Sequence, residues 1–221
     1  MTHSVDGPFE RCGPFRHPVD TALILAGGSS RRLGRPKALE VVAGKTIVER
    51  AVEAVTPFAG ELIVSIADTP MAETLQHLFP TAAFVIDRRP GKGPIEGIIR
   101  GTEVARGERL LVAPCDAPLL RPELYRLLLA SLGAHDAAVP RLDVFDPVRA
   151  VYRTAALRGI LSGPMVDLPS PSSLVDRLDA VFVLEDQLRT VDPRLDSFLD
   201  VNDPSDLETV LTRLRSISHS A

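Results

Sequence analysis

Thirteen consecutive residues, Leu25-Ala26-Gly27-Gly28-Ser29-Ser30-Arg31-Arg32-Leu33-Gly34-Arg35-Pro36-Lys37, follow directly on an apolar run and are of types that could hold a chain of phosphates. Adjacent glycines let the backbone turn sharply and bring its N–H groups to an anion with no Cβ in the way. Arg32 and Lys37 could then neutralise charge that builds up on a departing pyrophosphate. Taken alone, Gly27-Gly28 is also what a turn at the end of a strand looks like, with the basic residues merely solvated. The full pattern at the carboxyl end of a first strand is more specific, because open α/β sheets bind ligands there.

A second set of residues suits a hard cation. Asp116 stands just beyond the apolar run Arg109 to Ala113, so the same rule places it on the same edge as Gly27 and Gly28. Magnesium takes oxygen ligands, keeps several waters and bridges substrate phosphates, so one or two protein carboxylates suffice. Asp116 is the first candidate ligand, and Asp200 or Asn202, two apart and facing one way in an extended segment, is the second. The Asn-Asp-Pro-Ser-Asp run that follows Val201 would equally serve as a helix N-terminus with no ligand. Asp87 closes another apolar run and leads into Arg88-Arg89-Pro90-Gly91-Lys92-Gly93-Pro94, a connection suited to a ligand loop or to simple exposure.

Other chemistries find little support. Ala43-Gly44-Lys45-Thr46 resembles the end of a Walker A loop, but Leu39 occupies the position of its earlier glycine, so the segment reads as a turn into a helix. No G-x-G-x-x-G follows the first strand. His3, His17, His77, His135 and His219 are scattered, and Ser29 and Ser30 lack a nearby base for nucleophilic catalysis. Cys12 and Cys115 suggest neither a zinc site nor a disulfide framework. A net charge of -4 provides no global field for nucleic acid or an anionic membrane. No apolar run approaches the roughly 18 residues of a membrane span, and residues 1 to 18 lack a signal-peptide core, so a cytoplasmic protein is expected.

These candidates need a scaffold that brings strand ends together. The 221 residues are 45% hydrophobic and 24% charged, which suits one globular domain. Residues 1 to 18, with five Gly and Pro, read as a flexible arm, and residues 19 to 221 as a single domain. Strands are expected at Thr21 to Leu25, Glu61 to Ile66, Ala83 to Ile86, Arg109 to Ala113, Ala137 to Pro140, Val148 to Tyr152 and Ala180 to Leu184. Helices are expected at Thr46 to Val55, Ala72 to Leu78, Pro94 to Ala105 and Pro122 to Leu132, near Thr154, after Leu168 to Ser173, and finally from a cap at Asp203 or Ser205. Such alternation predicts an α/β fold with a mainly parallel central sheet.

The loop 25 to 37, Gly93-Pro94-Ile95-Glu96-Gly97, Pro114-Cys115-Asp116-Ala117-Pro118, Pro147 through Arg153, and Val201-Asn202-Asp203-Pro204-Ser205-Asp206-Leu207 together resemble the molybdenum cofactor guanylyltransferases. The resemblance covers about residues 20 to 212 and implies the GT-A-like nucleotidyltransferase fold, a Rossmann-like three-layer sandwich. It implies transfer of GMP from GTP to the terminal phosphate of molybdopterin with release of pyrophosphate, dependent on Mg2+. It further implies nucleotide contacts from Leu25, Ala26, Gly27, Gly28, Ser29, Lys37, Ser65, Asp87, Gly93 and Asp116, with Arg32, Lys37 and Asp116 catalytic and Asp116 and Asn202 at the metal. GTP and a molybdopterin-type acceptor are the implied small-molecule partners, with transient contact to molybdoenzymes or insertion chaperones. The Gly-Gly pair and Pro-Cys-Asp favour the guanylyl branch over cytidylyl relatives. A transferase using CTP or another acceptor, and a noncatalytic carrier of nucleotide or pterin, are the alternatives.

This chain departs from the family pattern at named positions. Leu33 replaces a frequent Met, Ser65 an Asn, Asp146 a His, and Asp200 the first Asn of a late Asn-x-Asn motif.

Overall fold

Apolar and β-branched runs bounded by Asp, Gly and Pro produce strands here, and amphipathic stretches between them produce helices. The computed structural model describes residues 20–27, 36–89, 91–162 and 168–218. The arm expected over residues 1 to 18 lies outside them, as do Cys12, Gly28, Ser29 and Arg32.

In chain order the elements are β1 (Thr21–Leu25), β2 (Val41–Val42), β3 (Lys45–Thr46), α1 (Ile47–Val55), β4 (Glu61–Ile66), α2 (Thr69–Leu78), β5 (Ala83–Ile86), α3 (Pro94–Val104) and β6 (Arg109–Pro114). There follow α4 (Pro122–Leu132), β7 (Ala137–Arg141), β8 (Ala150–Arg153), α5 (Thr154–Leu161), α6 (Pro171–Val175), β9 (Ala180–Leu184), α7 (Glu185–Val191) and α8 (Pro204–Ser218). Short 3-10 turns at Lys37–Leu39, Thr56–Phe58 and Asp196–Phe198 join them.

Seven strands form one sheet in the order β5-β4-β1-β6-β8-β7-β9. All run the same way except β8, which pairs antiparallel with both β6 and β7. Residues of alternate parity on each strand enter opposite cores, as the period of two requires. Ile24, Val64 and Leu111 pack with α1, α2, α4 and α7, whereas Leu23, Ile63 and Leu110 pack with α3, α5 and α6. The result is a three-layer α/β/α sandwich with a mainly parallel sheet. A third cluster, with Val42, Ile47, Leu119, Val201 and Val210, fastens α8 to the β2–β3 hairpin.

The Walker-like segment is that hairpin's turn. Lys45 Nζ binds the Glu53 carboxylate at 2.6 and 2.8 Å, and Thr46 caps α1 through a capping box with Glu49. Two elements differ from expectation at their starts. Helix α2 begins at Thr69 because the Asp68 carboxylate accepts the Met71 N–H at 3.1 Å, and β8 begins at Ala150 because the Val148 N–H turns back to Asp146 Oδ1 at 3.1 Å. Of the two proposed caps, Asp203 accepts the N–H groups of Ser205 and Asp206 and starts α8.

Candidate active site

Parallel pairing aligns the carboxyl ends of four strands. Leu25 stands in register with Ser65 on one side and Pro114 on the other. The ladder continues one rung further, with the Ala26 N–H donating to Ser65 O at 2.7 Å, Cys115 N–H to Leu25 O at 3.1 Å and Asp87 N–H to Ile66 O at 3.1 Å. Loops therefore leave the sheet from fixed points. Around those points lies a cavity of about 280 Å³.

Leu25, Ala26, Gly27, Lys37, Ser65, Asp87, Gly93 and Asp116, all singled out from the sequence, line this cavity, as do Met71, Gly97, Val148 and Asp200. Asn202 is not among the lining residues. Its Oδ1 accepts a hydrogen bond from Lys37 Nζ at 2.7 Å, and the same ammonium stands 3.5 Å from Asp116 Oδ2. The Val201 N–H donates to Asp116 O at 2.8 Å, which clasps the late segment onto the Asp116 turn.

One side of the cavity is narrow and polar. A Cβ on Gly27 would come within 3.1 Å of Asp87 Oδ2, and one on Gly97 within 2.7 Å of Ser65 Oγ and 2.8 Å of Leu25 Cδ2. Side chains at 27 or 97 would fill this pocket. Ser65 Oγ donates to Asp87 Oδ1 at 3.3 Å. Burial, reinforced by the charge of Glu96, raises Asp87 above the usual carboxylate range, while the hydroxyl of Ser65 and the charge of Arg100 pull the other way. Gly93, with φ 72° and ψ -155°, adopts a backbone conformation open to glycine alone and turns the loop into α3. Behind it the carboxylate of Glu96, 1% exposed, accepts the Arg88 N–H at 3.1 Å and Arg89 Nε at 2.8 Å, tying the loop to the helix.

The other side is charged. Burial raises the carboxyl of Asp200, the Asp116 charge adds to this, and the Arg149 guanidinium opposes it. Asp116 and Asp200 thus face a common space with hard oxygen donors, which fits a divalent cation shared with substrate phosphates. Among the described residues no group of three or more His, Cys, Asp or Glu could hold a metal ion by itself. Cys115, a free buried thiol, is pushed far up by burial and stays protonated, so it supplies no nucleophile.

Sequence reasoning missed Arg149. It is 3% exposed and bridges Asp146 and Asp200, while its Nε donates to Ser197 O at 2.9 Å. The available signal was that Asp146 and Asp200 both put an acid where the family pattern has a neutral residue type. Paired acids of that kind call for a buried cation.

The model of the MobA-like NTP transferase domain matches residues 22–179. The chain is 34% identical over 210 residues to a probable molybdenum cofactor guanylyltransferase of Methanosarcina acetivorans, covering 90% of this chain and 92% of the relative. A protein of the same description from Methanosarcina mazei is 35% identical, with 86% and 89% covered. Among solved structures, molybdopterin-guanine dinucleotide biosynthesis protein A from Archaeoglobus fulgidus superposes with a TM-score of 0.72 at 28% identity, over 89% of this chain and 99% of that one. A 4-diphosphocytidyl-2C-methyl-D-erythritolsynthase from Anaerococcus prevotii, 13% identical with a TM-score of 0.66 over 90% and 99% of the two chains, shares the fold. The chain belongs to the molybdenum cofactor guanylyltransferase family of MobA-like NTP transferases.

Proposed function

We propose that this nucleotidyltransferase moves GMP from GTP to the terminal phosphate of a molybdopterin-type cofactor and releases pyrophosphate. The observation that carries the reading is that Lys37, paired with Asp116, and the Asp200 carboxylate line the same cavity as Ser65, Asp87 and Gly97. A nucleoside triphosphate needs both ends. The guanine edge offers N–H donors that the ionised Asp87 carboxylate can accept, while the phosphates lie toward Lys37.

An oxygen of the acceptor phosphate forms the new bond to the α-phosphorus, the bond from that phosphorus to the β-phosphate oxygen breaks, and pyrophosphate leaves with the electron pair. The nucleophile is already an anion, so no general base is required. Lys37 holds and neutralises phosphate charge, and Arg32 is the further cation that the loop offers for this. Asp116 and Asp200 would hold Mg2+, which when bound supplies charge neutralisation on the phosphates. Gly27 lines the cavity, and the Gly28 and Ser29 that follow it in sequence are of types suited to phosphate contact. Among the described residues no helix is long and apolar enough to cross a membrane.

Pyrophosphate release measured with GTP, CTP, ATP and UTP, molybdopterin and magnesium tests the proposal. GTP should be preferred by at least about tenfold, or about 1.4 kcal/mol in transition-state binding. Preference for CTP would overturn the guanylyl assignment, and nucleotide binding without turnover would favour a carrier role.

The raised pKa of Asp87 gives a pH signature. The charged form accepts the base N–H groups, so nucleotide binding weakens as the pH falls through the raised value. The acid limb of kcat/KM for GTP should therefore lie above that of an ordinary aspartate, about 3.9, and Asp87→Asn should remove it. A limb that persists in Asp87→Asn assigns the titration elsewhere.

A further inference from the structure

Two carboxylates line the phosphate end of the cavity, and each already has a counter-ion of its own. Lys37 Nζ stands 3.5 Å from Asp116 Oδ2, and the Arg149 guanidinium is paired with Asp200 Oδ1. The two cations are held very differently. Arg149 is buried, donates to Ser197 O at 2.9 Å and Asp146 Oδ2 at 2.6 Å, and lies 5.6 Å from the centroid of the Phe198 ring. A fork with three anchored sides and an aromatic face cannot swing away. Lys37 opens a 3-10 turn of three residues immediately after the glycine loop, and its ammonium rides on a flexible four-carbon stem.

We propose that Lys37 and Arg149 are built-in counter-ions of the cation position, one movable and one fixed, so that the site holds a divalent cation only together with the nucleotide's phosphates. The inference rests on the nucleotidyl-transfer reading of the same cavity. A hydrated magnesium ion that meets Asp116 and Asp200 alone finds both charges already offset, and Mg2+ surrenders its waters reluctantly. Triphosphate oxygens offer Lys37 a better partner than Asp116, draw the ammonium off and bring further ligands for the metal. Arg149 stays in place and keeps the Asp200 carboxylate turned to the same point in both states. The chain thereby selects the cation–nucleotide complex over the cation by itself.

The test is a manganese titration of the full chain, reading the electron paramagnetic resonance signal of free Mn2+ at pH 8, first without nucleotide and then with GTP, with no acceptor present. Wild-type protein should bind Mn2+ weakly alone and tightly with GTP. Lys37→Met should tighten binding of Mn2+ alone by about tenfold, because a carboxylate has lost its counter-charge, and should weaken binding in the presence of GTP. Arg149→Met should also tighten binding of Mn2+ alone. Damage to a site lowers affinity and does not raise it, so tightening separates this role from a structural one. Unchanged or weaker binding of Mn2+ alone in folded Lys37→Met overturns the proposal, and circular dichroism establishes folding. Should Arg149→Met fail to fold, the Lys37→Met result decides. Wild-type protein that couples Mn2+ to GTP yet transfers no GMP overturns the activity reading and leaves this inference standing. Wild-type protein that transfers GMP while Lys37→Met leaves binding of Mn2+ alone unaltered overturns this inference only.

Discussion

Asp116→Asn is expected to lower GMP transfer by about a hundred- to a thousand-fold while leaving the protein folded and able to bind GTP. The magnitude is that of losing one preorganised charge-stabilising group from a phosphoryl-type transfer site. The fold should tolerate the change because the Asp116 side chain is 28% exposed and its recorded charged partner, Lys37, keeps its bond to Asn202. The backbone clasp from Val201 N–H to Asp116 O does not involve the side chain at all. Single-turnover transfer together with calorimetric GTP binding checks both halves. Transfer within tenfold of wild type would remove Asp116 from the chemistry, and loss of GTP binding along with transfer would make it a binding residue first.

Gly101→Val should destabilise the protein by about 3 kcal/mol, without any contact to the cavity. Helix α3 lies against β1 so closely that a Cβ at position 101 would come within 2.5 Å of Leu23 Cδ2 and 2.7 Å of Leu23 Cδ1. Leu23 is fully buried on β1, an interior strand of the parallel run β5-β4-β1-β6, so it has no free space to turn into. Overpacking of this kind costs about 1–3 kcal/mol, and a branched side chain sits at the upper end. For a domain of this size that corresponds to a fall in Tm of about 6–12 °C. Scanning calorimetry would show it, and an unchanged Tm would mean that α3 can shift away from the sheet at little cost. The same closeness brings Gly97 against Leu25 and Ser65 at the strand ends, so the tight packing also narrows the base side of the cavity.

Much of this architecture could be read from residue types because parallel strands are buried on both faces and appear as unbroken apolar runs. Leu23, Ile63, Val64, Leu111 and Val112 are examples. The rule that ligands gather at carboxyl ends then placed Gly27, Asp87 and Asp116 near one another. Helix α7 was not anticipated. Its seven residues follow β9 with no breaker between them, and they are too few to show a helical period. Arg149 could not be anticipated from spacing either, because one of its acids is nearby in the chain and the other belongs to the distant segment that follows the 3-10 turn at Asp196–Phe198. Asn202 illustrates a different limit. Residue type made it a plausible metal ligand, yet its oxygen is engaged by Lys37, a pairing across most of the chain that no local pattern announces.

The Val201–Asp116 clasp bears on synthesis of the chain as well as on chemistry. The strands that carry Gly27, Ser65, Asp87 and Asp116 leave the ribosome before residue 150, but Asp200 and Asn202 emerge only after β9 and α7. A nascent chain can therefore assemble its nucleotide-facing strands and still possess only half of the charged end. On the reading proposed above, a chain halted before Asp200 has no working site with which to sequester a metal–nucleotide complex.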